Sequence, residues 1–143
     1  MSTRMTTQER EAFLADRHVG IISIAREKRG PLTVPVWYEY EPGGELRVIT
    51  PIDAIKTRLI ERQMRFSLCA QNEALPYQYV SVEGPVTSIQ PEDREAEGRA
   101  MAHRYLGTED GNAYMASTEG LLCCTVCMRP EQWFSADYAK EDA

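Results

Sequence analysis

Two basic residues follow closely on a predicted strand, within the run Thr50–Arg58. We expect Thr50 to end the strand and a helix to begin shortly after it, which brings Lys56 and Arg58 near the helix start. A helix N-terminus attracts anions through its unpaired N–H groups and the positive end of its dipole, and cations add charge-assisted hydrogen bonds. The spacing therefore indicates an anion site, although it also fits an amphipathic helix with ordinary surface cations.

Other motifs with recognisable chemistry are absent from the sequence. It contains no nucleophile elbow, no Walker loop and no dinucleotide-binding glycine motif, and no catalytic residue can be named. With two histidines in all, a histidine-rich metal site is excluded. We expect His18 to cap the first helix or open the next strand, and His103 to lie on a solvated helix surface. A ligand role for His103 towards haem iron is the alternative.

The four cysteines are predicted to be buried thiols rather than disulfides or metal ligands. Cys69 stands alone, whereas the other three lie in the apolar segment Leu121–Met128. In a strand, Cys123 and Cys127 would share one face and Cys124 would point to the other. Thiols on opposite faces are badly placed for zinc or for redox exchange.

Composition narrows the class of protein further. The chain has 143 residues, enough for one domain over residues 1–143. Its net charge of −6 argues against broad nucleic-acid binding, which depends on many cationic phosphate contacts. The apolar runs are too short to span a bilayer, and the first twenty residues lack a signal-peptide core. We therefore expect a cytoplasmic protein without a membrane partner.

Hydrophobic periodicity predicts a mostly β fold with two or three helices. Six strands are expected, with Pro35 at an edge or bulge and a bend at Gly84-Pro85; they are His18–Ala25, Leu32–Tyr40, Glu45–Thr50, Arg65–Ala70, Tyr77–Ile89 and Leu121–Met128. Helices are predicted at the N-terminus, where Thr6 and Glu9 have the spacing of a capping box, from Ile52 to Gln63 and from Pro91 to Leu106. In the second helix, the buried side is expected to consist of Ile52, Ile55, Leu59 and Ile60. The last residues are expected to form an amphipathic tail. Short turns between most strands favour a small closed or split β-barrel over a sandwich.

Four segments, taken in order, resemble a known family. They are Val34-Pro35-Val36-Trp37-Tyr38, the Thr50…Lys56-x-Arg58 run, Arg65-Phe66-Ser67-Leu68, and the stretch from Pro76 to Gly84. Together they are similar to the pyridoxamine-5′-phosphate-oxidase-like split barrels. More closely, they resemble the actinobacterial flavin- and deazaflavin-dependent oxidoreductases, many of which use coenzyme F-420.

The resemblance implies a homodimer of six-stranded, FMN-binding-type split barrels with cofactor sites between the subunits. By position, Lys56 and Arg58 match the family's phosphate-binding cations, and Thr50 matches the hydroxyl residue before them. Pro35, Val36 and Trp37 would lie along the cofactor ring. Tyr79 stands where the oxidase branch often has a glutamine that touches the flavin.

Two positions depart from the family pattern. Ala54 stands where the family commonly has serine or threonine, so one phosphate hydrogen bond is lost. Asp53 could cap the helix but would repel a phosphate. The substrate-holding C-terminal segment of true pyridoxamine-phosphate oxidases has no counterpart after Trp133, which argues against vitamin B6 oxidation.

These observations favour a cytoplasmic oxidoreductase that transfers a hydride between coenzyme F-420, or FMN, and a small unsaturated molecule. The cofactor ring would carry the chemistry and the protein would orient it. The alternatives are a non-catalytic flavin, deazaflavin or haem binding protein of the same fold, and a structural dimer without a ligand.

Overall fold

The computed structural model describes residues 2–142, which form eight strands and four α-helices. The helices are α1 (Thr7–Ala15), α2 (Ile55–Gln63), α3 (Arg99–Leu106) and α4 (Thr108–Ser117). The strands are β1 (Gly20–Arg26), β2 (Arg29–Val36), β3 (Glu39–Tyr40), β4 (Leu46–Pro51), β5 (Arg65–Asn72), β6 (Gln78–Pro91), β7 (Cys123–Met128) and β8 (Gln132–Asp137). A π-helical turn, Arg94–Gly98, leads into α3, and a 3₁₀ turn, Tyr138–Asp142, follows β8.

All strand pairs are antiparallel, and their order across the sheet is β2-β1-β5-β6-β7-β4-β3, with β8 added on β6. Within residues 2–142 the path ends at β2 on one side and at β3 on the other, so the barrel is split rather than closed. The position of β2 at an edge confirms the prediction from Pro35, which has no N–H to donate to a second neighbour.

The long strand β6 joins the two halves of the barrel. Its first half pairs with β5 and β8, and its second half pairs with β7 after a register shift between Val86 and Ser88. The change of pairing partner falls directly after Gly84-Pro85, the dipeptide at which the sequence predicts a bend. A Cβ atom on Gly84 would lie 1.8 Å from the backbone oxygen of Arg129, so the crossing strands can approach this closely only at a glycine.

The core fills the space between the two halves of the sheet. Leu14 from α1 and Ile60 from α2 are fully buried in it, together with strand residues such as Ile22, Leu68 and Val126. The first helix begins with a capping box: the Thr6 side chain accepts from the Glu9 amide, and the Glu9 carboxylate accepts from the Thr6 amide. This confirms the helix start that the sequence predicts.

The count of six strands was wrong, because two segments behave differently from their patterns. The predicted strand Leu32–Tyr40 is divided: β2 pairs with β1, whereas β3 pairs with β4. The predicted tail contains β8, which pairs with β6 along its whole length. The alternating residues of Gln132–Asp137 are the signal for this strand that the sequence analysis missed.

The second helix also starts later than predicted. It begins at Ile55 rather than at Ile52. Neither of these isoleucines lies on the buried side of the helix. Ile52 is 48% exposed and Ile55 is 71% exposed, whereas Ile60 is fully buried as expected.

The cysteines alternate along β7 as predicted. Cys124 is buried, Cys123 and Cys127 on the other face are half-buried, and all four cysteines are free thiols. Burial raises the pKa of the Cys69, Cys123 and Cys124 thiols, which keeps them protonated. Among the described residues, no helix is long and apolar enough to cross a bilayer.

Candidate functional site

A surface groove of about 380 Å³ lies where the end of β2, the end of β4, the start of α2 and helix α4 meet. A groove of this size falls in the range of small-molecule sites. Four of the predicted cofactor-binding residues line it, namely Pro35, Val36, Trp37 and Lys56. The full lining is Val19, Pro35, Val36, Trp37, Ile49, Pro51, Lys56 and Tyr114. We call this the outer groove.

Trp37 is held firmly against the wall of the outer groove. Its ring stacks on Tyr105 with 5.0 Å between ring centroids and 5° between the planes, and Tyr114 packs at 5.3 Å and 54°. The Tyr105 hydroxyl donates to the His18 carbonyl (2.6 Å) and accepts from the Tyr38 amide (3.0 Å). Because that amide bonds to a side chain and not to a strand, β2 ends at this point and Trp37 turns into the groove.

The start of α2 supplies the groove with positive charge. The N-cap residue is Ala54, in an extended conformation and without a side-chain hydrogen bond to the helix. The suggestion that Asp53 caps the helix is therefore wrong: Asp53 is exposed and lies before the cap. First-turn N–H groups of a helix have no intrahelical partner, so this terminus keeps donors for an anion. Lys56 lies in the first turn and lines the groove.

Arg58 and Thr50 are placed differently from Lys56. Arg58 is exposed and is not part of the groove lining. Thr50 is 1% exposed, and its Oγ1 lies 2.9 Å from Oγ1 of Thr57. Thr57 gives its own hydroxyl proton to the Pro51 carbonyl at 2.6 Å, so Thr50 must be the donor of the pair. This buried chain fixes the turn from β4 into α2, and Thr57 is a positioning residue that the sequence analysis missed.

Tyr79 lies on another part of the molecule. Its ring stacks on Phe134 with 6.4 Å between centroids, and the two line a depression of about 530 Å³ with Arg10 and Trp133. Within one chain, Tyr79 is therefore not in the outer groove. The structure brings Pro35, Val36, Trp37 and Lys56 together and separates Tyr79 from them.

A smaller cavity of about 100 Å³ lies behind the wall of the outer groove. Trp37, Ile49, Pro51 and Tyr114 line both spaces. We call this the inner cavity; its further lining includes Glu92, Arg94, Met101, Met115 and Cys123. Sequence reasoning missed these residues, because a proline followed by acidic residues is the usual pattern of a solvated helix start.

The histidines do not line either space. The His18 ring stacks on Phe13 with 4.4 Å between centroids, and its Nε2 donates to the Phe13 carbonyl at 3.0 Å, which confirms its role at the end of α1. His103 bonds to the side chain of Asn112 at 2.7 Å. The buried Tyr38 hydroxyl donates to the Leu14 carbonyl, and burial raises the pKa of this group, so Tyr38 cannot serve the groove as a proton donor.

Comparison with known proteins identifies the fold. No protein-family model matches this chain, and no curated protein matches it significantly. Solved structures do match: an F420 reductase superposes with a TM-score of 0.70 and 21% identity, over 87% of this chain and 94% of that one. A conserved hypothetical protein from Mycobacterium tuberculosis superposes with a TM-score of 0.79 and 20% identity, over 99% and 91%.

A putative pyridoxamine 5′-phosphate oxidase from Listeria innocua also superposes, with a TM-score of 0.66 and 13% identity, over 90% of this chain and 96% of that one. The chain thus has the split-barrel fold of the pyridoxamine-5′-phosphate-oxidase-like proteins, as the sequence predicted. The similarity extends over nearly the whole of each protein.

Proposed function

We propose that the protein is an oxidoreductase of the pyridoxamine-5′-phosphate-oxidase-like family that binds coenzyme F-420, with FMN as the alternative, and exchanges a hydride with a small unsaturated molecule. The carrying observation is the outer groove itself: an apolar and aromatic wall, Pro35 to Trp37, faces a cation and an uncapped helix N-terminus. This combination suits a flat ring that carries an anionic group. The F420 reductase of the same fold supports the choice of cofactor.

The chain's own contribution would be binding and orientation. Lys56 and the first-turn amides of α2 would hold the anionic group, and Trp37 would lie along the ring, kept in place by Tyr105. The bound cofactor supplies the hydride chemistry. The apolar walls would reduce the contact of the ring with water, which strengthens the electrostatic contacts at its charged end.

We further propose that the protein acts as a homodimer. Four aromatic residues lie together on the surface formed by β6, β8 and the turn that follows: Tyr77, Tyr79, Phe134 and Tyr138. Phe134 is 69% exposed and Tyr77 is 51% exposed. We call this surface the aromatic face. An apolar surface of this kind is typical of a protein–protein contact, and a second copy would bring Tyr79 to a site between subunits.

The test is an equilibrium titration of the chain with coenzyme F-420 and, separately, with FMN. Lys56→Ala should weaken binding by about one to two orders of magnitude, the loss of one charge-assisted hydrogen bond. Arg58→Ala should weaken it less, because Arg58 lies outside the groove. Arg62→Ala is the matched control, since it removes an exposed cation from the last turn of the same helix. Unchanged affinity in Lys56→Ala would refute this cofactor site.

A non-catalytic binding protein is the second candidate. Tyr38 is committed to the core, and Lys56 and Tyr114 are the only titratable side chains on the described lining of the outer groove. Reoxidation of the reduced, bound cofactor by a conjugated acceptor, followed by absorbance in a single turnover, separates the two. An enzyme consumes one acceptor per cofactor, whereas a carrier protein leaves the spectrum of the reduced form unchanged.

A further inference from the structure

The inner cavity has a volume and position that suit one end of a ligand. Its volume of about 100 Å³ corresponds to roughly three water molecules, or to a group of a few heavy atoms. Trp37, Ile49, Pro51 and Tyr114 border both spaces, so the inner cavity and the outer groove lie next to each other and are separated by these four side chains.

The Glu92 carboxyl group is built into the wall of this cavity. The Glu92 amide donates to the Cys123 carbonyl at 3.1 Å, which ties the end of β6 to the start of β7. A Cβ atom on Gly98 would lie 2.5 Å from Oε2 of Glu92, so the missing side chain at Gly98 makes the space in which the carboxyl group lies. Among residues 2–142, no protein group forms a hydrogen bond with this carboxyl group.

Burial raises the pKa of Glu92, and Glu97 and Asp93 nearby raise it further, whereas Arg94 lowers it. The Cys123 thiol, whose pKa is also raised, faces the same space and carries no charge. On the described lining of the inner cavity, Glu92 and Arg94 are the two side chains that carry opposite charges when ionised.

Arg94 presents the opposite charge from a fixed position. Its Nη2 donates to the Met115 carbonyl and to the Thr118 hydroxyl, the latter at 2.9 Å, and these bonds anchor the guanidinium to the end of α4. Its other N–H groups have no hydrogen-bond partner in the described part of the chain. Glu92 and Arg94 do not form an ion pair with each other.

A cavity with one acceptor group and one donor group of opposite charge selects its ligand by charge. A carboxylate ligand would be attracted by Arg94 but repelled by Glu92. An ammonium group would be attracted by Glu92 but repelled by Arg94. A neutral group with an N–H beside a C=O satisfies both side chains, because the N–H donates to Glu92 and the oxygen accepts from Arg94.

We propose that the inner cavity is the subsite for a neutral amide or lactam end of the acceptor molecule. The inference rests on the proposed function, since it places the conjugated remainder of that molecule in the outer groove. Glu92 and Arg94 are the residues that would determine specificity, and the four shared side chains would set the length of ligand between the two spaces.

The experiment compares two probes that differ only at this end, cinnamamide and cinnamate. Their affinities for the purified full-length chain are measured by ligand-observed NMR titration without added cofactor. The parent should bind cinnamamide about tenfold more tightly than cinnamate, because only the amide satisfies both side chains. In Glu92→Gln, cinnamate should gain about tenfold in affinity, since the repelling charge is lost and Arg94 remains. A gain in binding cannot result from unfolding.

Glu95→Gln is the matched control. It removes the same charge from a nearby position in the chain, but Glu95 is exposed and bonds to Arg99 outside the cavity. Cinnamate affinity should not change in this variant. The proposal is overturned if the parent does not prefer the amide, if neither probe binds, or if Glu95→Gln and Glu92→Gln act alike. An intact amide preference with no effect of Lys56→Ala on cofactor binding would instead refute the cofactor site alone.

Discussion

The molecule carries two groups of aromatic residues that are similar in composition and opposite in arrangement. Around the outer groove, Trp37 is stacked on Tyr105, whose hydroxyl group is bonded to part-buried backbone. On the aromatic face, Tyr79 and Phe134 stack on each other above the sheet, and Phe134 is mostly exposed. The first group is fixed by the chain's own hydrogen bonds and bounds a small space; the second offers a flat apolar surface. The first suits a small ligand, and the second suits another protein surface.

The largest effect should follow from loosening the first group. Tyr105→Phe leaves the part-buried Tyr38 amide and His18 carbonyl without the hydroxyl group that bonds them, so the free energy of unfolding should fall by about 2–3 kcal/mol. Urea denaturation measures this loss. Tyr114→Phe is the control: its ring also packs on Trp37, but its hydroxyl has no hydrogen bond within residues 2–142, so the change should stay within about 0.5 kcal/mol. Equal losses in both variants would contradict the assigned role of Tyr105.

A substitution in the second group should weaken self-association of the chain rather than lower its folding stability. Phe134→Asp places a charge at the centre of the aromatic face and should weaken self-association by about thirtyfold, the effect of losing an interface anchor worth about 2 kcal/mol. Sedimentation equilibrium measures it. Leu122→Asp is matched in exposure, at 68% against 69%, and Leu122 lines a different surface depression, with Ile52 and Ile89. A parent that is monomeric at tens of micromolar, or a Leu122→Asp variant that dissociates equally, would argue against this interface.

The next prediction concerns stability at alkaline pH and depends on Tyr38, whose amide is bonded to Tyr105 of the first group. Burial raises the pKa of Tyr38, so the folded state keeps the phenolic proton after the unfolded chain has begun to lose it, near pH 10. Since the folded state then binds more protons, the free energy of unfolding falls as pH rises above this value, by up to about 1.4 kcal/mol per pH unit for this group. Tyr38→Phe should be less stable overall but show a shallower decline between pH 9.5 and 11. An unchanged slope would show that Tyr38 does not titrate in this range.

The smallest effect is expected from reducing agents. All four cysteines are free thiols, and neither aromatic group depends on a covalent link. Addition of dithiothreitol should change the free energy of unfolding by less than about 0.5 kcal/mol. Intact-mass measurement after alkylation under denaturing conditions should show four modified thiols; fewer would reveal a disulfide that the structure does not contain.

What the sequence could predict depends on whether a signal is local. Alternation located most strands, and the spacing of Thr6 and Glu9 gave the first cap, because both depend on residues within a few positions. The split of Leu32–Tyr40 depends on Tyr105, far along the chain, so no local pattern could show it.

The candidate site follows the same rule. The sequence placed Lys56 near a helix start, which is a local property, and the resemblance placed Pro35 to Trp37 beside it. The commitment of Thr50 to Thr57 could not be read from residue types, since serine and threonine in a turn can bond in several ways. Glu92 and Arg94 become candidate site residues only when α4 packs against their segment, because that packing makes the segment part of a cavity wall.

Because β6 runs unbroken through both halves of the barrel, it determines how the protein unfolds. A single strand of 14 residues supplies a hydrogen-bonded edge to both halves of the barrel. The close contact at Gly84 also holds the two halves tightly together. Neither half can unfold without removing hydrogen-bonded strand pairs from β6, which also belongs to the other half. We therefore expect no partly folded species with one half intact: amide protons of β5 and β7, on opposite sides of the crossing, should exchange with solvent at the same limiting free energy, as parts of one cooperative unit.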